Sequence, residues 1–182
     1  MNVIKTELDG VVIIEPRVFA DPRGFFFENY QAARYAAAGL PDRFVQDNHS
    51  HSIVGTIRGL HYQLRHPQAK LVRVIQGSVI DVAVDIRRGS PTFRKWVAVE
   101  LSAANKRQLF IPAGFAHGFC VPHEPSDVEY KCSEYYVADD QQGIIWNDPS
   151  LAIAWPVLEP HLSEKDQMYG PLTDDRTDLP RF

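Results

Sequence analysis

The sequence contains seven histidines, and His61 lies in the most informative context. It lies at the centre of residues 59–63, which read Gly-Leu-His-Tyr-Gln and have the pattern of a strand. An imidazole is the commonest metal ligand in proteins, and its unperturbed pKa of about 6.5 also suits a general base. His61 could therefore bind a metal, act as a base, or be a buried histidine that bonds to the backbone. His49-x-His51 is a second candidate pair for a metal, but no matching acidic cluster follows it.

The polar residues that follow His61 argue against a catalytic metal. Metal-binding members of the cupin group place two histidines one residue apart on a strand, followed by a glutamate and a distant histidine. Here Gln63 takes the place of the second histidine, and Lys70 lies where an acidic ligand would follow. The later stretch that ends at His117 does match the group's second motif, Pro-x-Gly-x-x-His. Because an ammonium has no lone pair and repels a divalent ion, we expect a metal-free pocket.

Three further kinds of side chain could take part in catalysis or binding. Lys70 has apolar neighbours, so it would stabilise an enolate if it points into a barrel and would be a solvated strand lysine if it points outward. Tyr130 could donate a proton, or be an ordinary barrel aromatic with a hydrated hydroxyl. Arg23 and Arg58 each precede a glycine, which lets a phosphate approach closely, although a loop salt bridge explains them equally well.

Length, charge and cysteine content limit the class of protein. The 182 residues fit one domain, which we expect to span residues 1–182. With only Cys120 and Cys132, a reduced cytoplasmic protein is the simpler interpretation. The net charge of −4, without a lysine run, argues against nucleic-acid binding. The N-terminus lacks the pattern of a signal peptide, and no apolar stretch approaches the roughly 20 residues of a membrane span.

Strands and turns must position these side chains. Residues 79–86 alternate with period two, and residues 70–75 precede them across a turn at 76–78, which predicts a hairpin. Further predicted strands cover residues 12–15, 24–28, 55–60, 95–101, 109–111, 128–136 and 143–146.

Helices are few in the predicted structure. Residues 31–38 are alanine-rich and stop at Gly39, and Ser163 is patterned as the N-cap of a second short helix. Many short strands with regular turns predict an all-β antiparallel sandwich or barrel, and the jelly-roll and cupin group fits the number of strands.

Several longer motifs together resemble the dTDP-4-dehydrorhamnose 3,5-epimerase family over nearly the whole chain. The most specific are Phe-Val-Gln-Asp-Asn-His-Ser at 44–50, Arg-Gly-Leu-His-Tyr-Gln at 58–63, and residues 110–119. Asp-Pro-Arg-Gly at 21–24 with Glu28, and Trp-Asn-Asp-Pro at 146–149, also fit. The resemblance implies a cupin-type jelly roll that forms a homodimer and exchanges strands between subunits.

The resemblance also implies a reaction and a role for each matching residue. The family inverts C3 and C5 of dTDP-4-dehydro-6-deoxy-D-glucose, giving dTDP-4-dehydro-L-rhamnose for dTDP-L-rhamnose biosynthesis, with no metal or organic cofactor. His61 matches the base, Asp166 its orienting partner, Tyr130 the proton donor on the opposite face, and Lys70 the cation beside the enolate. The positions that match substrate contacts are Arg23, Glu28, Gln46, Asp47, Asn48, Arg58, Lys70, His117, Tyr136, Gln141 and Lys165.

Two positions leave questions open. Tyr136 matches the aromatic that stacks on thymine, and we expect Tyr135 and Tyr136 on one strand, with a ring on each face. The family usually has Glu-Arg-Gly where this chain reads Gln141-Gln142-Gly143. An amide still accepts a hydrogen bond, so binding would survive with changed strength. Three alternatives remain: an epimerase acting only at C3 or C5, a non-catalytic sugar-nucleotide-binding barrel, and a metalloenzyme.

Overall fold

Two antiparallel sheets face each other and enclose the core of the protein. The computed structural model describes all 182 residues, Met1–Phe182. The strands are β1 (Asn2–Lys5), β2 (Val12–Glu15), β3 (Val18–Asp21), β4 (Gly24–Phe27), β5 (Gln46–Ser52), β6 (Ile57–Gln63), β7 (Lys70–Gln76), β8 (Ser78–Asp85), β9 (Trp96–Ser102), β10 (Gln108–Ile111), β11 (Phe115–Cys120), β12 (Ser126–Cys132) and β13 (Gln141–Gly143).

The order of the strands confirms the predicted jelly-roll barrel. The first sheet has six strands in the order β1-β2-β10-β7-β12-β5, and the second has five in the order β13-β6-β11-β8-β9. Strands β3 and β4 form a separate two-stranded hairpin. Facing sheets lie about 10 Å apart, which leaves room for one layer of interdigitating side chains or for a ligand.

Alternation along the strands decides which side chains point between the sheets. Val72 and Val74 of β7 pack with Val79 and Ala83 of β8 in the main apolar cluster between the sheets. Leu71 belongs instead to a cluster that includes Tyr35 of the first helix. Since neighbouring residues of a strand point to opposite faces, Lys70 shares the inward face with Val72.

The predicted hairpin between residues 70–75 and 79–86 is wrong. Both strands exist, but β7 pairs with β10 on one edge and β12 on the other, whereas β8 pairs with β9 and β11. A strand has two edges for hydrogen bonds, so β7 has no free edge for β8. The turn between them therefore carries the chain from one sheet to the other.

Other strand predictions shift by a few residues or omit a strand. The strand that carries His61 runs over Ile57–Gln63 rather than 55–60, and β12 ends at Cys132, so Tyr135 and Tyr136 follow the strand instead of lying on it. Strands β1, β3, β5 and β11 are absent from the prediction. Polar residues that point into the barrel hide the usual apolar alternation of β5, whose sequence is Gln-Asp-Asn-His-Ser-His-Ser.

Two short α-helices match the predicted ones. Helix α1 covers Ala32–Ala37, and α2 covers Glu164–Met168 after the predicted N-cap Ser163, whose hydroxyl accepts a hydrogen bond from the Asp166 backbone N–H. Neither helix is long enough or apolar enough to cross a membrane. Both cysteines, Cys120 and Cys132, are buried free thiols.

Candidate active site

His61 and Asp166 form a hydrogen-bonded pair at one wall of a cavity in the barrel. The Nε2 atom of His61 lies 2.5 Å from Oδ1 of Asp166, across 105 residues of sequence. The Asp166 side chain is 4% exposed and that of His61 27%, so the carboxylate is buried and the imidazole reaches the cavity. Because a carboxylate accepts, Nε2 carries the proton and the lone pair of Nδ1 remains available.

The local backbone explains how His61 and Asp166 come to face each other. Leu60 and Tyr62 pack into an apolar cluster on the outer side of the second sheet, so His61 between them points inward. Gly59 has φ +127°, and a Cβ there would lie 2.5 Å from Cα of Gly118, so β6 and β11 approach too closely for any side chain. Asp166 stands in the first turn of α2, where Ser163 caps the helix.

Tyr130 and Lys70 approach the same cavity from the opposite sheet. The cavity has a volume of about 320 Å³ and is lined by Gln46, Asn48, His61, Tyr62, Gln63, Gln68, Lys70, Tyr130, Tyr136 and Gln141. His61 comes from β6 of the five-stranded sheet, whereas Lys70 and Tyr130 come from β7 and β12 of the six-stranded sheet. The imidazole and the phenol therefore enter from opposing walls.

Burial sets the charge of the groups on the six-stranded wall. Burial lowers the pKa of the Lys70 ammonium, and nearby Cys132 and Asp81 counteract this only in part. Burial raises the pKa of the Tyr130 hydroxyl, with Cys132 adding to the rise and Arg58 opposing it. The Lys70 Nζ lies 5.9 Å from the centroid of the Tyr130 ring. Burial thus keeps the phenol of Tyr130 protonated and works against the positive charge of the neighbouring Lys70.

Side-chain amides hold the rim of the cavity. Gln63 donates to the carbonyls of His66 (2.7 Å) and Tyr135 (3.1 Å) and accepts from the N–H of Val137 (2.7 Å). Gln46 accepts from the N–H of Tyr136 at 2.9 Å. Gln63, at the position where a metal-binding relative would carry a histidine, therefore anchors the loop that brings Tyr136 to the cavity.

A second histidine–aspartate pair lies beside His61 and includes a residue that the sequence did not single out. His117 of β11 is paired in register with His61 and donates from Nε2 to both carboxylate oxygens of Asp81, at 3.0 Å each. Burial lowers the pKa of His117, and Lys70 and His61 add to this, while Asp81 opposes it. Asp81 was not predicted as a site residue because it lies at an inward position of a strand that is mostly apolar.

Several predicted substrate contacts lie away from the cavity. Arg23 is ion-paired to Asp21, and Glu28 to Arg34, on or beside the β3–β4 hairpin. Asp47 is 70% exposed on the face of β5 opposite Gln46 and Asn48, where it binds Lys131. Arg58 is exposed and bonds Ser52 and the His51 carbonyl, and Lys165 is exposed on α2.

The two histidines of β5, His49 and His51, both form hydrogen bonds with Asp127. Asp127 Oδ1 lies 2.9 Å from His49 Nε2 and 3.2 Å from His51 Nδ1, and all three side chains are on the outer face. No group of three or more histidine, cysteine, aspartate or glutamate side chains is arranged to hold a metal ion.

Comparisons with known proteins identify the family. The family model for dTDP-4-dehydrorhamnose 3,5-epimerase matches residues 5–174. A dTDP-4-dehydrorhamnose 3,5-epimerase of Shigella flexneri is 56% identical over 168 residues, 91% of this chain and 93% of the relative. A protein of the same name from Pseudomonas aeruginosa is 54% identical over 169 residues, 92% of this chain and 93% of the relative.

The fold agrees with the same family. The crystal structure of a dTDP-6-deoxy-D-glucose-3,5-epimerase from Legionella pneumophila Philadelphia 1, in complex with dTDP-4-keto-L-rhamnose, superposes with a TM-score of 0.96. It is 52% identical and the match covers 100% of this chain and 98% of the other. The chain belongs to the dTDP-4-dehydrorhamnose 3,5-epimerase family.

Proposed function

We propose that this protein inverts C3 and C5 of dTDP-4-dehydro-6-deoxy-D-glucose to give dTDP-4-dehydro-L-rhamnose. The observation that carries the proposal is the entry of His61 and Tyr130 into one cavity from opposing sheets. Inversion of a carbon requires removal of a proton from one face and delivery of a proton to the other. A base and an acid on the same wall could only return the proton to the face it left.

His61, Asp166 and Lys70 carry out the first half of each inversion, which is the removal of a proton to give an enolate. The C4 ketone acidifies the hydrogens on its neighbouring carbons, so Nδ1 of His61 takes one of them while the electron pair moves to the C4 oxygen. Asp166 holds the imidazole by Nε2 and stabilises the cation that forms. The Lys70 ammonium stabilises the enolate oxygen in a cavity where little water screens the charge.

The second half belongs to Tyr130. Its raised pKa keeps the hydroxyl protonated at neutral pH, so it donates a proton to the opposite face of the carbon as the ketone re-forms. The charged imidazole and phenolate then exchange protons with solvent and return to their starting states. The same cycle acts on the other carbon, and no electron or cofactor is consumed.

The remaining polar residues serve to bind the nucleotide-sugar. Gln46, Asn48, Tyr136 and Gln141 line the cavity and are suited to contact the substrate directly. Arg58 and Lys165 are exposed cations suited to the diphosphate. We assign His117 a supporting role next to His61, because its Nε2 is committed to Asp81.

A homodimer explains why Arg23 and Glu28 lie away from the cavity. The β3–β4 hairpin exposes Phe25 by 61% and Phe26 by 70%, an unusual exposure for large apolar side chains. In a dimer with exchanged strands, the partner protomer would cover these rings, and the hairpin would bring Arg23 and Glu28 to the partner's cavity. The proposed enzyme acts in the cytoplasm as one domain of residues 1–182.

Turnover in deuterated water tests the proposed reaction. The product should carry deuterium at both C3 and C5. His61→Ala should reduce exchange at both carbons by several orders of magnitude, because base and positioning are lost together. His123→Ala, which changes an exposed histidine outside the cavity, is the matched control and should keep wild-type exchange.

Each alternative function gives a different outcome. Label at one carbon only would identify a single-site epimerase, and tight dTDP binding without any exchange would identify a binding protein. We expect full activity after exhaustive chelation, and a loss that added metal restores would identify a metalloenzyme. Normal turnover by His61→Ala would exclude His61 as the base.

A further inference from the structure

Tyr169 makes a contact with His61 that the proposed reaction does not use. It directly follows α2, the helix that carries Asp166. Its ring meets the His61 imidazole edge-on, with centroids 5.8 Å apart and an interplanar angle of 67°. The hydrogen bond that His61 donates to Asp166 fixes one atom of the imidazole, and a ring against a second edge restricts rotation of the imidazole about that bond.

The space for Tyr169 is provided by Gly143. This glycine lies opposite His61 in the pairing of β13 with β6. A Cβ at residue 143 would come within 2.3 to 2.5 Å of three atoms of the Tyr169 ring. The backbone of Gly143 does not have a positive φ. Glycine is therefore required for the close approach of the ring, and any side chain would push Tyr169 away.

Gln141 holds the other end of Tyr169. Its Nε2 donates to the Tyr169 hydroxyl at 3.1 Å, and Gln141 also lines the cavity together with His61. Burial raises the pKa of the Tyr169 hydroxyl, and Asp166 contributes to the rise, so the hydroxyl stays neutral at working pH. Strand β13 thus fixes the ring at both ends, with Gly143 beneath it and Gln141 at its hydroxyl.

We propose that Tyr169 is a positioning residue for the His61–Asp166 pair, held against His61 by Gly143 and Gln141. The ring limits the motion of the imidazole and covers one side of it from water. This role rests on the proposed function of His61 as the base. It also gives Gln141 a second task besides contact with the substrate.

A double-mutant cycle tests the coupling between Tyr169 and Gly143. Tyr169→Ala should lower kcat about 10- to 100-fold, as expected when a catalytic group is misplaced by about 1 Å, with KM nearly unchanged. Gly143→Ala should act in the same way by displacing the ring. The double variant should be no slower than either single variant, because without the ring the added methyl meets no obstacle.

Conservative variants separate positioning from a general loss of stability. Tyr169→Phe keeps the ring and loses only the bond to Gln141, so it should recover most of the kcat lost in Tyr169→Ala. Met168→Ala changes an exposed neighbour on α2 and should match the wild type. If Tyr169→Ala does not fold, Tyr169→Leu, which keeps apolar bulk, takes its place. Multiplicative losses in the double variant would overturn the proposal.

A measurement without substrate keeps this proposal separate from the proposed function. In the nitrogen-15-labelled protein, the His61 Nε2–H should give one far-downfield proton signal that exchanges slowly with water. Tyr169→Ala should broaden it and speed its exchange by at least about tenfold, because water then reaches the imidazole. An unchanged signal together with unchanged kcat would refute the positioning role. Absence of turnover in the wild type would refute the epimerase proposal and leave this signal as an independent test.

Discussion

At the residue scale, Lys70 combines a charge that the reaction needs with a site that disfavours it. Burial lowers the pKa of the ammonium below the ordinary lysine value of about 10.4. A lysine is cationic only below its pKa, so the charge beside the enolate is lost at a lower pH than for an exposed lysine. The electrostatic contribution to catalysis therefore has an alkaline limit set by burial.

We expect kcat to fall on the alkaline side, below the pH at which an exposed lysine loses its proton. Lys70→Arg should have a lower kcat but no such decline, because a guanidinium keeps its charge throughout this range. Tyr130 does not interfere, since burial raises its pKa above the ordinary value of about 10. The pH profile of kcat for the two proteins measures this, and an identical decline in both would assign it to another group.

Tyr130 offers a second prediction at the same scale. Tyr130→Phe removes the proton donor and leaves His61 and Asp166 in place. We expect the variant to keep abstracting protons and exchanging them with deuterated water, while inversion falls about 100-fold or more. Nuclear magnetic resonance of substrate and product distinguishes exchange from inversion. Tyr135→Phe removes an exposed hydroxyl nearby and serves as the control. Undiminished inversion by Tyr130→Phe would require another donor.

At the element scale, Asp140 ends a short 3-10 helix, Ala138–Asp140, and joins it to the loop after β6. Its carboxylate accepts from the backbone N–H groups of Arg65 (2.9 Å) and His66 (2.7 Å) and pairs with the Arg65 side chain. Burial acts to raise the pKa of Asp140, but these hydrogen bonds outweigh it and lower the pKa to about 2. The carboxylate therefore stabilises the position of β13 beside His61.

The lowered pKa predicts how Asp140 affects stability with pH. The unfolded carboxyl has a pKa of about 3.9, so the folded protein gains stability above that value and loses it as pH falls toward 2. Asp140→Asn should lower the free energy of unfolding by about 1–2 kcal/mol at pH 7, with the difference vanishing near pH 2. Urea denaturation at several pH values measures this. The exposed neighbour variant Asp139→Asn is the control, and a difference that persists at low pH would contradict the linkage.

At the scale of the whole molecule, the β3–β4 hairpin is the feature that a single chain leaves unexplained. Its aromatic rings face solvent, whereas the apolar clusters on the outer faces of the two sheets are covered by helix α1 and by the C-terminal segment. Burial of such rings against a second copy would contribute about 1.5–3 kcal/mol for each fully buried ring.

We expect the double variant Phe25→Ser with Phe26→Ser to dissociate a dimer of the 20.6 kDa chain into monomers. Light scattering measures the mass, and kcat/KM should fall because Arg23 and Glu28 no longer reach a neighbouring cavity. Leu158→Ser is the matched control, since Leu158 is 94% exposed and lies outside the hairpin. A variant that remains fully dimeric would show that the hairpin is not the interface.

Local patterns predicted much of the fold and several of the residues that the structure brings to one cavity. The sequence predicted three local features: the strand around His61, the helix N-cap at Ser163 and the period-two alternation around residue 80. Each depends only on residues within a few positions. The motifs also pointed to the family that the comparisons confirm. Strand β5 was missed because its inward residues are polar, and the candidate site is where the usual apolar pattern is interrupted.

Only the tertiary structure decided which groups meet. The sequence by itself determined that His61, Lys70 and Tyr130 lie on strands, but the assignment of β6 to one sheet and of β7 and β12 to the other places the imidazole opposite the phenol and the ammonium. The pairing of His117 with Asp81, the packing of Tyr169 on Gly143, and the outward position of Asp47 likewise depend on contacts between distant strands and segments. Alternation tells only which neighbours share a face, whereas long-range pairing and packing decide what that face meets.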